Sequence, residues 1–235
     1  MTRFILIAFF MASACSAAAQ DAAQTKALKE ISLVGDRFRP EPGAFVSCNV
    51  DYTYALASDP SHTLDSLTGV YRLWGSTRFT RIGHTETLQD DSTVVVAYHD
   101  DHVLMAGPYI PGASAGKDMF FGSLDTAVLA KADISLTKGA ITIRFPDSTR
   151  HYNCTLVYDP STHIPKSMTY VMPASPSGPA LVTMRFSAYS RAPLDTASLN
   201  VRTYIKVGMD GKAQAQPAFS GYRFIQTANF PVSIN

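Results

Sequence analysis

Histidine and aspartate side chains are concentrated in one predicted turn of the chain. The stretch His99–His102 reads His-Asp-Asp-His, and His84 and the pair Asp90–Asp91 lie in the sequence shortly before it. Two imidazoles and two carboxylates are ligands that zinc and similar ions accept. Adjacent residues of a tight turn point in different directions, however, and surface turns are normally polar and hydrated. We therefore predict a solvated turn here and no metal site.

A second pattern, Ser135–Lys138, matches the S-x-x-K motif of penicillin-binding enzymes. That chemistry needs the serine at the start of a helix, whereas this serine lies in a predicted strand that runs into a Lys-Gly turn. The companion patterns S-D-N and K-T-G are absent, as are H-E-x-x-H, the P-loop and G-x-G-x-x-G. The sequence therefore predicts no enzyme and no cofactor. A hydrolase that uses the Asp- and His-rich turns is the weakest hypothesis.

Composition narrows the class of protein. The chain has 235 residues, of which 46% are hydrophobic and 17% are charged, and these values are typical of a globular protein. Without the leader described below, nineteen Lys and Arg residues balance nineteen Asp and Glu residues, and no basic run occurs. A neutral chain lacks the basic surface that nucleic acids require, so nucleic acid is excluded as a partner.

The N-terminus has the pattern of an export signal. Arg3 supplies a positive charge, Phe4–Met11 an apolar run and Ala17–Ala19 a small-residue cleavage site. We predict a signal peptide at residues 1–19, one domain at residues 20–235, and export to the periplasm. No later apolar run approaches the ~18 residues that a spanning helix needs, so we expect no transmembrane span.

A lipoprotein signal is the alternative at the N-terminus. Ala12–Ala14 precedes Cys15, which would then be acylated and become the first residue of an outer-membrane lipoprotein. Ala12 stands where such signals usually have leucine, and this favours soluble export.

Two cysteines, Cys48 and Cys154, remain once the leader is removed. An even number of cysteines in an oxidising compartment is compatible with a disulfide, provided that the Cα atoms approach within about 7 Å. Both residues fall on apolar faces of predicted strands, so two buried free thiols are equally compatible with the sequence. The sequence leaves both alternatives open.

Alternating apolar and polar residues predict most of the chain to be β-strand. Phe45–Leu56 is the clearest example, and Thr63–Met105 predicts an antiparallel meander of four strands. Helical spacing appears twice, in Asp21–Val34 and in Lys117–Lys131, and Gly107–Gly116 is a predicted loop.

These elements predict a mainly β protein. About ten to eleven strands joined by hairpins would form one strongly curved antiparallel sheet, a half-open β-barrel, with the two short helices covering its concave face. A two-sheet sandwich is the alternative. The helices favour the half-barrel, because a sandwich needs none.

The concave face of this predicted sheet is rich in aromatic and aliphatic side chains. They either fill the core or leave a cavity for a lipid or another apolar ligand, with the second helix and the preceding loop as lid and hinge. The residues predicted to line such a cavity are Val50, Tyr52, Tyr54, Tyr71, Leu73, Met119, Phe120, Leu124, Phe145, Leu156 and Tyr170.

Several segments resemble an exported protein family from the Bacteroidota. They are DYTYA at the end of the first strand, LDSLTGVYRLWGSTRFTRIGHTETLQDD, YHDDHVLM and, at Leu156–Pro173, LVYDPSTHIPKSMTYVMP. That family is similar in fold to the outer-membrane lipoprotein carrier superfamily of the LolA/LolB type. The resemblance implies a half-barrel whose apolar cavity holds an acyl chain, but it supplies no ligand-binding motif that matches residues of this chain.

Two hypotheses about function follow. The first is a non-enzymatic, monomeric envelope protein that binds a lipid, a lipoprotein acyl chain or another hydrophobic ligand, so that its partner is a hydrophobic small molecule or a lipidated protein. The second is a structural or interaction module of an envelope complex, with a filled core and no ligand.

Overall fold

The computed structural model of this protein describes residues 24–38, 41, 43–109, 129, 131–146, 153–172 and 178–230. Helix α1 covers residues 24–35. Short 3-10 turns lie at Asp36–Phe38, Thr196–Leu199, Val201–Thr203 and Pro217–Phe219. The strands in these ranges are β1 (Phe45–Leu56), β2 (Asp59–Trp74), β3 (Thr77–Ile82), β4 (Thr85–Gln89), β5 (Thr93–Tyr98), β6 (Val103–Pro108), β7 (Asp133–Thr137), β8 (Ala140–Arg144), β9 (Cys154–Tyr158), β10 (Pro165–Met172), β11 (Ala180–Ser190), β12 (Ile205–Val207), β13 (Ala213–Ala215) and β14 (Arg223–Gln226).

Twelve of these strands form one sheet, in the order β7-β8-β9-β10-β11-β1-β2-β3-β4-β5-β6-β14, and β12 and β13 form a separate hairpin. Neighbours in the sheet are antiparallel except for β14, which runs parallel to β6. The prediction of a mainly β protein with a large curved antiparallel sheet is confirmed, and the sheet does not close into a barrel. The sandwich alternative is wrong, because one sheet holds twelve strands.

The described ranges contain fourteen strands, more than the ten to eleven predicted. One of the additional strands is β4, which the predicted meander had merged with its neighbours. Gly83 has a left-handed φ of +53° and starts a tight turn between β3 and β4. The segment of β4 contains one apolar residue, Leu88, so its alternation is weak.

Helix α1 confirms the first predicted helix over its described residues, and it ends at Gly35, one residue later than predicted. Ala27, Ile31 and Val34 are buried, and their i, i+4, i+7 spacing places them on one face of the helix. Ile31 and Val34 pack against β8 and β9, including Ile141 and Ile143. The second predicted helix lies outside the described residues, except for Leu129 and Lys131. Within the described ranges, no helix has the length and apolar character needed to cross a bilayer.

One face of the sheet, which we call the helix-side face, carries two hydrophobic clusters. In β1, Val46, Cys48, Val50 and Tyr52 are buried there, while Asn49 and Asp51 point to the other side. Phe38, directly after α1, packs on this first cluster, and α1 packs on the second, which lies over β7–β10. The helix-side face is therefore buried mainly in the half of the sheet from β7 to β2.

The opposite face, which we call the C-terminal face, is buried in the other half of the sheet. Here Phe79, Leu88, Val95, Ala97 and Leu104 form a core with side chains of residues 199–230. The chain after β11 thus returns across β3–β6 and covers the face that α1 does not. Each half of the sheet buries a different face.

Candidate functional site

The structure brings the described members of the predicted cavity together on the helix-side face. Val50, Tyr52, Tyr54, Tyr71 and Leu73 belong to the cluster under Phe38, and Phe145 and Leu156 belong to the cluster under α1. Tyr170 packs against both clusters. The other three predicted residues, Met119, Phe120 and Leu124, lie outside the described residues.

Most of these side chains are buried in packed core rather than exposed to a cavity. The six buried members are Val50, Tyr52, Tyr71, Leu73, Phe145 and Leu156, each 7% exposed or less. Tyr54 and Tyr170 remain partly accessible. They lie in one row of the sheet, since Tyr54 pairs with Val182 of β11 and Val182 pairs with Tyr170 of β10.

Two partly buried methionines lie beside Tyr170. Met168 and Met172 flank Tyr170 on β10, on the same face, and both are partly exposed. Methionine adapts its shape to neighbouring groups and is common at surfaces that accept varied apolar partners. We call Tyr54, Met168, Tyr170 and Met172 the Tyr-Met patch. Its two tyrosines are the partly accessible members of the predicted site among the described residues, whereas its two methionines were not predicted.

The hydroxyl of Tyr52, directly beside this patch, has no hydrogen-bond partner among the described residues. Its side chain is 5% exposed, and its oxygen is enclosed by protein. Burial raises the pKa of the Tyr52 phenol well above its ordinary value, and the nearby Tyr170 and Tyr54 raise it further. Tyr52 therefore stays protonated and presents a hydrogen-bond donor inside an apolar cluster. An unpaired buried donor costs about 1–3 kcal/mol.

Cys48 and Cys154 are free thiols, which is the second of the two alternatives that the sequence left open. Cys48 lies on β1 and Cys154 on β9, with β11 and β10 between them. Three strand spacings of ~4.8 Å exceed the distance that a disulfide can bridge. Burial raises the pKa of Cys48 to about 12 and that of Cys154 to about 11, so neither thiol is a nucleophile at neutral pH.

The Asp- and His-rich turn between β5 and β6 is polar, as predicted, and its side chains have separate partners. The Nδ1 atom of His84 lies 2.6 Å from Asp100 at the surface. His99 instead places Nδ1 2.7 Å from the Tyr222 hydroxyl and Nε2 3.3 Å from Glu86. In the described part of the chain, no three His, Cys, Asp or Glu side chains are grouped to hold a metal ion.

Glu86 and His99 belong to a network that the sequence did not reveal. The Tyr204 hydroxyl donates to Glu86 Oε2 at 2.9 Å, so that two tyrosines of the C-terminal segment are linked through Glu86 and His99. The partners are separated by 118 and 123 residues in the chain. No local pattern signals such a contact. The network fastens the C-terminal segment to the sheet.

A polar groove of about 710 Å³ lies beside this network on the C-terminal face. Asn49, Asp51 and Thr68 line one end, and Arg81, His84, Glu86 and His99 line the other. Arg81 approaches Glu86 at 4.0 Å and is half exposed, so this ion pair contributes little to stability. The groove mixes acidic and basic groups without a dominant charge.

Two sequence patterns bear on catalysis. Ser135 lies on strand β7 and Lys138 in the turn after it, so the S-x-x-K spacing has no helical context. The sequence also contains the G-x-S-x-G spacing at Gly112–Gly116, outside the described residues. In α/β-hydrolases this motif forms the sharp turn from a strand into a helix. Here the strand before it, β6, is the second strand of an antiparallel hairpin with β5, which is a different setting.

A scan against protein-family models finds no match to this chain. A search of curated proteins likewise finds no match.

Solved structures with low sequence identity align with most of the chain. An uncharacterised conserved protein from Thermus thermophilus aligns with a TM-score of 0.49 and 9% identity, over 86% of this chain and 99% of the other. A LolA superfamily protein from Nitrosomonas europaea aligns with a TM-score of 0.32 and 11% identity, over 76% and 97%. MucB in its complex with MucA from Pseudomonas aeruginosa aligns with a TM-score of 0.45 and 13% identity, over 74% of this chain and 60% of the other.

Proposed function

We propose that this protein is a non-enzymatic envelope protein that binds a hydrophobic ligand, either a lipid or the acyl chain of a lipidated protein, on the helix-side face. The ligand would lie on the Tyr-Met patch and extend toward Tyr52. In this proposal the protein is exported to the periplasm as a monomeric domain of residues 20–235 after removal of residues 1–19. Acylation of Cys15, giving an outer-membrane lipoprotein, is the alternative form.

The unpaired hydroxyl of Tyr52 is the observation that carries the proposal. Buried polar groups nearly always have a partner, and an exception calls for an unseen water molecule or a bound group. Here the surroundings are tyrosines, methionines and aliphatic side chains. An acyl ester, amide or neutral carboxylic acid brings both a hydrogen-bond acceptor and an apolar chain, and it would satisfy this donor without adding a charge to the core.

Burial of the other predicted residues favours a second candidate function. Tyr71, Leu73 and Leu156 are each at most 2% exposed, as expected of a filled core. In this alternative the protein is an interaction module of an envelope complex and holds no ligand. The Tyr-Met patch would then be a protein contact surface, since methionine and tyrosine are both common in such surfaces.

Native mass spectrometry of the mature protein, purified from bacteria without detergent, separates these two functions. The proposal predicts excess mass that mild organic extraction removes, and the extract identifies the ligand class. A bare polypeptide mass before and after extraction, together with co-purification of one defined protein, would support the interaction module instead. A diacylglyceryl mass on Cys15 would require the same measurement on a variant that lacks this cysteine.

A further inference from the structure

A second groove, of about 640 Å³, lies at the far end of the C-terminal face. It runs between the turn that joins β4 to β5 and the hairpin of β12 and β13. Its lining residues are Asp90, Ser92, Thr93, Val201, Arg202, Ile205, Lys206, Val207, Gln216 and Phe230. None of them belongs to the predicted ligand site on the helix-side face.

The floor of this groove is apolar. Ile205 and Phe230 are buried members of the core beneath it, and Val201 packs against the same core. Val207 extends this apolar surface to the solvent, and its side chain is 41% exposed. The groove thus offers apolar area at a position open to solvent.

The rim of the groove is cationic. Arg202 and Lys206 are exposed, and neither forms an ion pair with another described residue. The one acidic residue of the lining, Asp90, accepts hydrogen bonds through Oδ1 from Ser92 and Thr93 at 2.8–3.1 Å. Two cations against one carboxylate leave the lining with a net positive charge.

A methionine projects next to the groove. Residues 208–212 form a five-residue loop between β12 and β13, closed by the hydrogen bond from Gly208 N to Lys212 O at 2.8 Å. The dipeptide Asp210-Gly211 does not form a two-residue type I′ turn, which needs a positive φ at both residues, because only Gly211 has one. The longer loop leaves Met209 at its tip, 95% exposed.

We propose that this end of the molecule docks on the surface of a bilayer that contains anionic phospholipids. Arg202 and Lys206 would contact lipid phosphates, while Met209 and Val207 enter the apolar boundary below the headgroups. Basic side chains around a small apolar tip suit an anionic interface, because electrostatic attraction and apolar burial act together. Lys212 adds a further cation, partly offset by Asp210 at 4.0 Å. With so few contacts, the binding is weak and reversible.

Sedimentation of the mature full-length chain with sucrose-loaded vesicles tests this docking. One vesicle population contains phosphatidylcholine with 30% phosphatidylglycerol, and the other contains phosphatidylcholine alone. We expect binding to the first population that falls with added salt, and at least ~10-fold weaker binding to the second.

Two variants and two matched controls locate the surface. R202Q/K206Q should weaken binding by about 25-fold and M209S by about 10-fold, given the usual contribution of each cation and of one inserted apolar side chain. Leu64, 57% exposed on β2, and Lys138, exposed in the turn after β7, provide the controls L64S and K138Q. These controls should bind as the wild type does.

Several outcomes would overturn the docking proposal. They are equal sedimentation with both vesicle populations, no sedimentation with either, and unchanged binding by R202Q/K206Q and M209S. Saturable binding of glycerol phosphate that competes fully with vesicles would assign the groove to a small anion instead. The ligand at Tyr52 is tested by a different readout, the native mass, so failure of one proposal leaves the other intact.

Discussion

The two faces of the sheet are covered by different segments but fastened by the same kind of contact. On the helix-side face, Glu30 of α1 accepts the Tyr158 hydroxyl at 2.9 Å and lies 3.1 Å from His163 Nε2. On the C-terminal face, Glu86 accepts the Tyr204 hydroxyl at 2.9 Å and lies 3.3 Å from His99 Nε2. In both places a partly buried carboxylate ties the covering segment to the sheet through a tyrosine and a histidine.

The two faces differ in whether a buried tyrosine hydroxyl lacks a hydrogen-bond acceptor. The tyrosine hydroxyl of the C-terminal network, on Tyr204, has an acceptor, whereas the hydroxyl of Tyr52 on the helix-side face finds none in the described part of the chain. The cover of the C-terminal face therefore resembles ordinary core packing. The helix-side face keeps a donor that a ligand would satisfy, and this contrast supports placing the ligand there.

The largest effect is expected from substitutions that test whether each face has a tightly packed hydrophobic core. Leu104 on the C-terminal face and Leu156 on the helix-side face are both at most 2% exposed. We expect L104A and L156A each to lower the free energy of unfolding by about 2–5 kcal/mol, because each leaves a cavity in packed core. Urea denaturation measures this. A loss below about 1 kcal/mol in either variant would show that its face is loosely covered.

Alkaline pH should act on the helix-side face, where both described thiols are buried. Unfolded thiols ionise near pH 9, but burial raises the pKa of Cys154 to about 11 and that of Cys48 to about 12 in the folded chain. The stability that the two buried thiols contribute is complete below pH 9, and it is lost as the pH rises through their pKa values in the folded chain. By pH 10 we expect a loss of about 1 kcal/mol per thiol.

Urea titrations at pH 8 and pH 10 measure this loss. The double variant C48A/C154A is the control, since it should lose less stability between the two pH values than the wild type does. An identical pH dependence of both proteins would contradict buried thiols. Alkylation of the denatured, unreduced chain should modify both cysteines, whereas protection of both would indicate a disulfide.

Removal of one hydroxyl should have opposite effects on the two faces. In the ligand-free protein, Y52F removes an unpaired donor and should raise the free energy of unfolding by about 1 kcal/mol. Y204F removes the donor to Glu86 and should lower it by about 1 kcal/mol, because the acceptor loses its partner. Urea denaturation of extracted protein gives both values. Two changes of the same sign would remove the proposed distinction between the faces.

The smallest effect is expected from neutralising the two carboxylates. E30Q and E86Q keep the shape of the side chain and remove its charge, and both sites are partly exposed. We expect each variant to lose about 1 kcal/mol or less in urea denaturation. A loss several times larger in one of them would show that the two contacts are not equivalent.

The sequence predicted local structure well where alternation was strong. The bounds of β1 follow from its strict alternation, and the helical spacing of Ala27, Ile31 and Val34 located α1. The placement of eight candidate residues on one face follows from the same periodicity, because residues two apart in a strand share a face.

The sequence did not predict which face each half of the sheet buries. In β5, residues Val95 and Ala97 are buried against the C-terminal segment, while Val94 and Val96 are only partly buried. The run Thr93–Tyr98 has apolar residues on both faces, so its pattern fits either arrangement. The Glu86 network and the unpaired Tyr52 hydroxyl depend on contacts between distant parts of the chain, which local patterns do not encode.

The most direct test of ligand binding at Tyr52 compares how tightly the wild type and one tyrosine variant on each face bind an acyl ligand. Extracted wild type, Y52F and Y204F would be reloaded with palmitic acid and titrated by native mass spectrometry. Loss of one hydrogen bond predicts about five-fold weaker binding by Y52F and unchanged binding by Y204F. Equal affinities of all three proteins, or no binding by the wild type, would contradict a ligand site on the helix-side face.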